Sequence, residues 1–159
     1  MGVQGKVLGL QSLGAGAKSP SPHGLGAQRT MPTSLSDLHR HLDGSLREST
    51  LHELAAHRGI SLPEALRFSA GMGLSDALAL FQVTLSVLQY PDEVRRVAAE
   101  MCVDAQAEGV TTLEIRFAPQ LHRGAPMEDI VDAALLGIDG RAGLILCGLY
   151  GEDPAVLES

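Results

Sequence analysis

His39, His41 and Asp43 stand at i, i+2 and i+4 in the run Leu38-His39-Arg40-His41-Leu42-Asp43-Gly44. Side chains of a β-strand alternate faces with period two, so a strand through this run would turn all three to one side. Two imidazoles on one face at the carboxyl end of a strand can bind one metal ion, and Zn²⁺ is the usual occupant. Gly44 lets the chain turn sharply just beyond and leaves the top of the strand open. The plain alternative is a set of ordinary polar residues at a strand end. A catalytic zinc needs about three protein ligands and an open position, so two histidines are an incomplete set. His52 and His57 fall on a predicted helix and read as surface residues, whereas His122 follows a second predicted strand at the same end of the sheet and is a further candidate. No HExxH, P-loop, GxGxxG, GxSxG or PCxxC pattern occurs in the chain.

The elements that would position these residues alternate along the sequence. Leu35–His41 reads as a strand running into the loop Leu42-Asp43-Gly44. Thr50 and Glu53 have capping-box spacing and Gly59 is a natural stop, so the pattern predicts a helix over 50–58. Pro63 opens a short second helix that Gly71 ends. A third, apolar helix runs from Ser75 to about Gln89, with Leu78, Phe81, Leu85 and Leu88 at helical spacing, where Leu78 and Phe81 read more as core than as pocket lining. Pro91 starts a fourth helix, to Glu108, with Val94, Val97, Ala98, Met101 and Ala105 on its apolar face. Thr111–Phe117 alternates and is β-branched, which predicts a strand; Glu114 and Arg116 share its polar face, where Arg116 reads as a structural ion-pair partner. Pro126 opens a fifth helix, to about Asp139, and Leu144–Leu149 is a continuous apolar run, the mark of a strand buried on both faces. Strands alternating with helices imply right-handed crossovers and a parallel sheet. A closed (β/α)₈ barrel takes eight strands and about 250 residues, and this chain supplies three strands.

Composition narrows the function classes. The chain has 159 residues, 45% hydrophobic and 19% charged, which suits one globular domain. A net charge of -7 and only 3% aromatic residues argue against nucleic acid as partner, and no apolar run is long enough for a membrane span. The two cysteines, Cys102 and Cys147, read as buried free thiols of a reducing compartment, which places the protein in the cytoplasm. Residues 1–30 hold three basic residues, no acid, seven glycines and two prolines, so residues 1–33 read as a disordered low-complexity tail before a domain over 34–159. A secretory leader is a further reading, though its apolar run is broken by Gly9, Gln11 and Ser12; Lys6 argues against N-myristoylation of Gly2. The composition break at Met31 fits either a true start there or a genuine tail.

The run Leu38-His39-Arg40-His41-Leu42-Asp43-Gly44-Ser45-Leu46-Arg47 resembles the opening signature of the adenosine deaminase family. Glu108-Gly-Val-Thr-Thr-Leu-Glu-Ile-Arg-Phe-Ala-Pro-Gln-Leu-His122, Leu144-Ile-Leu-Cys147 and Leu85-Ser-Val-Leu-Gln89 agree in order and spacing. The resemblance covers about residues 35–157. It implies a zinc-dependent α/β hydrolase, of which this chain would be the N-terminal part of a (β/α)₈ TIM barrel, with about three of the eight strands and the lid helices. The implied reaction converts adenosine and 2′-deoxyadenosine to inosine and 2′-deoxyinosine with release of ammonia, a step of purine metabolism. By match to the motif, His39 and His41 would bind zinc, Asp43 would accept a hydrogen bond from the ribose 5′-hydroxyl and Gly44 would lie close to the sugar. Leu78 and Phe81 match a helical lid over the nucleoside, with Ala77 in place of a bulkier residue and Leu149-Tyr150 where many members have Met-Arg.

In the family the third zinc histidine, a proton-donating glutamate, a second catalytic histidine and a zinc-binding aspartate come from later strands. No HAGE-like, HGxH-like or TDDP-like segment occurs in these 159 residues. The expectation is therefore an N-terminal portion that is inactive alone. Two alternatives stay open. One is a relative acting on adenine, aminofutalosine or N6-methyl-AMP, in which the residue after HxHL tends to be Glu or Asn. The other is a non-catalytic protein that binds a partner through open strand edges.

Overall fold

A computed structural model describes residues 34–157 except Ala65 and Phe68; the tail expected over residues 1–33 lies outside the described residues. The elements are β1 (Leu35–His41), α1 (Glu48–Arg58), α2 (Leu74–Val87), α3 (Pro91–Ala107), β2 (Val110–Phe117), α4 (Met127–Ile138) and β3 (Gly143–Leu146). Short 3₁₀ turns occur at Pro119–Leu121 and Pro154–Leu157. The three strands form one parallel sheet in the order β1-β2-β3. Parallel neighbours need a crossover, supplied by α1 to α3 between β1 and β2 and by α4 between β2 and β3. No helix among the described residues is long and apolar enough to cross a membrane.

Alternation on β2 decides which face is core. Leu113, Ile115 and Phe117 are buried in one cluster with Val94, Val97, Ala98, Met101 and Cys102 of α3 and with Ile130, Ala134 and Ile138 of α4. Leu51, Leu54 and Ala55 of α1 complete this helix-side core. Charged pairs tie α1 to α3 around its rim. Arg47 Nη2 lies 2.6 Å from Asp104 Oδ1, and Arg96 Nη2 lies 2.7 Å from Glu53 Oε2. Such partly exposed pairs fix geometry more than they add stability.

Four local expectations are corrected. Helix α1 begins at Glu48, two residues earlier than the capping spacing predicts, with Arg47 at its N-cap. Thr50 is buried inside the first turn, and its hydroxyl donates to Glu100 Oε2 at 2.7 Å instead of capping the helix. No helix forms among the described residues between Pro63 and Gly71. Most of that stretch is exposed, and a segment of about two turns cannot offset helix nucleation without an apolar face to bury. The strand expected over Leu144–Leu149 stops at Leu146 and has no fully buried residue: Leu144 is only partly buried against the core, Leu146 on the same face is exposed, and Ile145 on the other face is only partly buried. The thiols differ as well, since Cys102 is buried and Cys147 only partly so.

The α3–α4 contact depends on Gly137. A Cβ there would collide with the carbonyl oxygen of Arg95 and stand 2.9 Å from Ala98 Cβ, and both obstacles are on or next to backbone. Gly137→Ala must therefore part the two helices, at a cost of about 1–3 kcal/mol. Urea unfolding of the variant is expected to show a lower midpoint; an unchanged midpoint would mean that α4 does not sit this close to α3.

Candidate metal and nucleoside site

The strand β1 ends at His41, and its pairing with β2 sets the site. His41 lies opposite Arg116 and Arg40 opposite Ile115, so His41 shares the face of β2 that points away from the helices. The register slips between Asp37 and Arg40, where Leu38 and His39 together face the single residue between Leu113 and Ile115. The rings of His39 and His41 have centroids 5.2 Å apart and are tilted by 36°. His39 is exposed and His41 partly buried. Burial, the neighbouring His39 and the Arg116 guanidinium all push the His41 pKa down. This favours the neutral imidazole, the form that donates a lone pair to a metal.

Asp43 is not on the strand. The chain leaves β1 through a turn in which the Gly44 N–H donates to His41 O at 3.3 Å and the Ser45 N–H to Leu42 O at 3.4 Å. The expectation of three side chains in one period-two row is thus corrected for Asp43, which reaches the pair from the turn. Its Oδ1 lies 3.9 Å from His41 Nδ1, beyond hydrogen-bond range. Asp43 is only 2% exposed, and Oδ1 has no hydrogen-bond partner. Burial pushes its pKa up to about 7, opposed by its own backbone N–H. A buried carboxylate oxygen without a donor costs stability and is a ready acceptor for a ligand hydroxyl.

His122 does not join the pair. It is 2% exposed, packs edge-on against Phe117 with ring centroids 5.3 Å apart and binds the Leu88 carbonyl through Nδ1. Phe117 belongs to the helix-side core, so the imidazole serves that layer. Leu78 and Phe81 lie on α2, and Leu78 is 53% exposed, not core as its spacing suggests. His52 and His57 are exposed on α1, as expected. Among the described residues no group of three or more His, Cys, Asp or Glu side chains could hold a metal ion. The residues fit two positions of a zinc site.

Arg116 is the ion-pair partner read from the sequence, with Glu114, and has a second role. Its Nη2 donates to the Leu38 carbonyl at 2.7 Å, while Glu114 Oε2 stands 3.9 Å away. Arg116 therefore holds the irregular stretch of β1 by a charge-assisted hydrogen bond, close to the histidines. Only the strand register reveals this role, because the spacing of Glu114 and Arg116 shows a shared face and nothing about a backbone acceptor on the neighbouring strand.

Comparison with known proteins bears on this site. The family model for adenosine deaminase matches residues 34–145. The chain is 40% identical over 139 residues to a probable adenosine deaminase of Dictyostelium discoideum, covering 76% of this chain and 18% of that protein. It is 39% identical over 140 residues to an adenosine deaminase of Mycolicibacterium vanbaalenii, covering 75% of this chain and 38% of that one. Among solved structures, an amidohydrolase of Burkholderia ambifaria with bound Zn is similar with a TM-score of 0.65 and 25% identity, over 79% of this chain and 39% of that chain. An adenine deaminase of Arthrobacter aurescens is similar with a TM-score of 0.54 and 27% identity, over 70% of this chain and 38% of that chain. This chain thus spans less than two fifths of these relatives, and its three parallel strands with their helices are part of a TIM-barrel fold. On this sequence match and this fold, the chain belongs to the adenosine deaminase family.

Proposed function

We propose that residues 39–44 supply two zinc ligands and the sugar-binding turn for hydrolytic deamination of adenosine and 2′-deoxyadenosine. The observation that carries this reading is the pairing of two close imidazoles on the open face of β1 with a buried, unpartnered carboxylate oxygen just beyond them. The adenosine deaminases among its relatives point the same way.

Zinc would supply Lewis acidity at a carbon that loses an amino group. The chain's own residues do the rest of the work assigned to this segment. His39 and His41 would hold the ion as neutral imidazoles. Asp43 would accept a hydrogen bond from the ribose 5′-hydroxyl, which gives Oδ1 the donor it lacks. A buried carboxylate at that point repels a 5′-phosphate, so the turn suits a nucleoside better than a nucleotide. Gly44 would bring bare backbone against the sugar. Leu78 and Phe81 would exclude water from the base.

Two ligands make a weak site, and a catalytic zinc uses about three. The 159-residue chain alone is expected to bind Zn²⁺ weakly, and His39→Ala or His41→Ala is expected to weaken that binding at least tenfold by calorimetric titration. Affinity equal to the parent's in both variants would remove these residues from the metal site. The same chain is expected to produce no inosine from adenosine above the buffer rate; turnover that disappears in His39→Ala would contradict the assignment of only part of the machinery to it.

Asp43 gives a separate test. If its charge is kept for a ligand, it costs stability in the free chain. Asp43→Asn removes the buried charge and is expected to stabilise the chain by about 1–2 kcal/mol at pH 8, read as a higher urea midpoint. A lower midpoint would show that the carboxylate is a structural group.

A further inference from the structure

The apolar residues of α2 are buried at one end of the helix and exposed at the other. Leu74 is 76% and Leu78 53% exposed, whereas Leu85 is 5% exposed and Val87 and Leu88 are fully buried. A soluble helix of this composition ordinarily buries a stripe along its whole length. The buried end is also the end that is bonded to the rest of the fold.

Most of the bonds that reach this end from elsewhere in the fold come from the loop after β2, and the others from Glu93 of α3. The Gln89 side-chain amide donates to Leu85 O at 2.7 Å within α2 and to Leu121 O at 3.2 Å across to the loop. Its Oε1 accepts from the Arg123 N–H at 2.9 Å, and its backbone carbonyl accepts from the Gly124 N–H at 3.0 Å. His122 Nδ1 binds the Leu88 carbonyl, the acceptor that the end of the helix leaves free. Gly124 leaves no slack: a Cβ there would stand 2.5 Å from Gln89 O and 2.7 Å from a Tyr90 ring carbon. On the other side, Glu93 Oε2 accepts from the N–H groups of Gln89 and Tyr90, each at 2.9 Å.

We infer that His122, Gln89 and Gly124 form a joint that fixes the last turn of α2 to the loop after β2, and that α2 is held mainly from this end. His122 and Gln89 are then positioning residues for Leu78, on the free half of the same helix, and for the partly buried Phe81 at its middle. The joint explains why a buried histidine stands beyond β2 yet takes no part in the metal pair. Its ring carries the position of α2 back to the strand that faces the zinc residues. What the free half covers rests on the nucleoside reading above; the joint itself does not.

A detached helix of 14 residues is marginal in water, so loss of the joint should be seen as local opening of α2. Amide hydrogen exchange of the full chain, measured without ligand, reads this directly. Gln89→Ala and His122→Phe, which keeps an aromatic ring against Phe117, are each expected to speed exchange across residues 74–87 at least tenfold, with α3 and β2 unchanged. Gly124→Ala, which forces the joint apart without removing a hydrogen-bonding side chain, is expected to do the same. Exchange in α2 that stays as in the parent would overturn the joint. So would a rise shared equally by α3 and β2, which would make these residues general core supports. Failure of the zinc or Asp43 assays would leave this measurement untouched, so the two readings fail separately.

Discussion

The parallel pairing of β1 with β2 is the constraint on which the candidate site depends. Period-two alternation sends Leu113, Ile115 and Phe117 into the helix-side core and leaves Glu114 and Arg116 on the opposite face. Once His41 pairs with Arg116, it has to share that second face. The hydrophobic burial that locks β2 against α3 and α4 therefore also aims the histidines, although they contribute nothing to that core. A shift of the pairing by one residue would carry His41 into the core and Leu42 out of it.

The site itself is built against local stability. Asp43 is buried without a donor for Oδ1, and burial raises its pKa. Arg116 carries a buried Nε without a partner next to the same strand. Groups of this kind are costly in a core; Arg40 Nη1, Gln120 Oε1 and His122 Nε2 are also buried without partners, while the α1–α3 rim satisfies its charges in pairs. His122 serves the helix-side layer through its Nδ1 bond to a backbone carbonyl and its edge contact with Phe117, although its Nε2 is buried without a partner.

Much of this is legible in the sequence. The apolar face of α3, the alternation of β2 and the turn signals at Gly59, Pro91 and Gly109 predict the elements because each rests on local spacing. The parallel sheet follows from their order, and the family follows from the motif around His39 and His41. What sequence reading misses depends on partners far along the chain. Thr50 looks like a helix cap until Glu100 is seen across from it. Leu144–Leu149 looks like a doubly buried strand, but burial of its second face requires neighbours that composition does not show. Leu78 has core spacing, yet α2 is packed only toward its carboxyl-terminal end. The slip in β1 between Asp37 and Arg40 leaves no trace in local pattern.

The proposed function requires His39 and His41 to act together on one metal ion. Imidazole nitrogen NMR of the full chain during a Zn²⁺ titration tests it most directly. The ring nitrogens of His39 and His41 are expected to shift together along one saturation curve, while those of His52, His57 and His122 stay in place. Independent curves for His39 and His41, or shifts of His52 or His57 at lower Zn²⁺ concentrations than either, would contradict it.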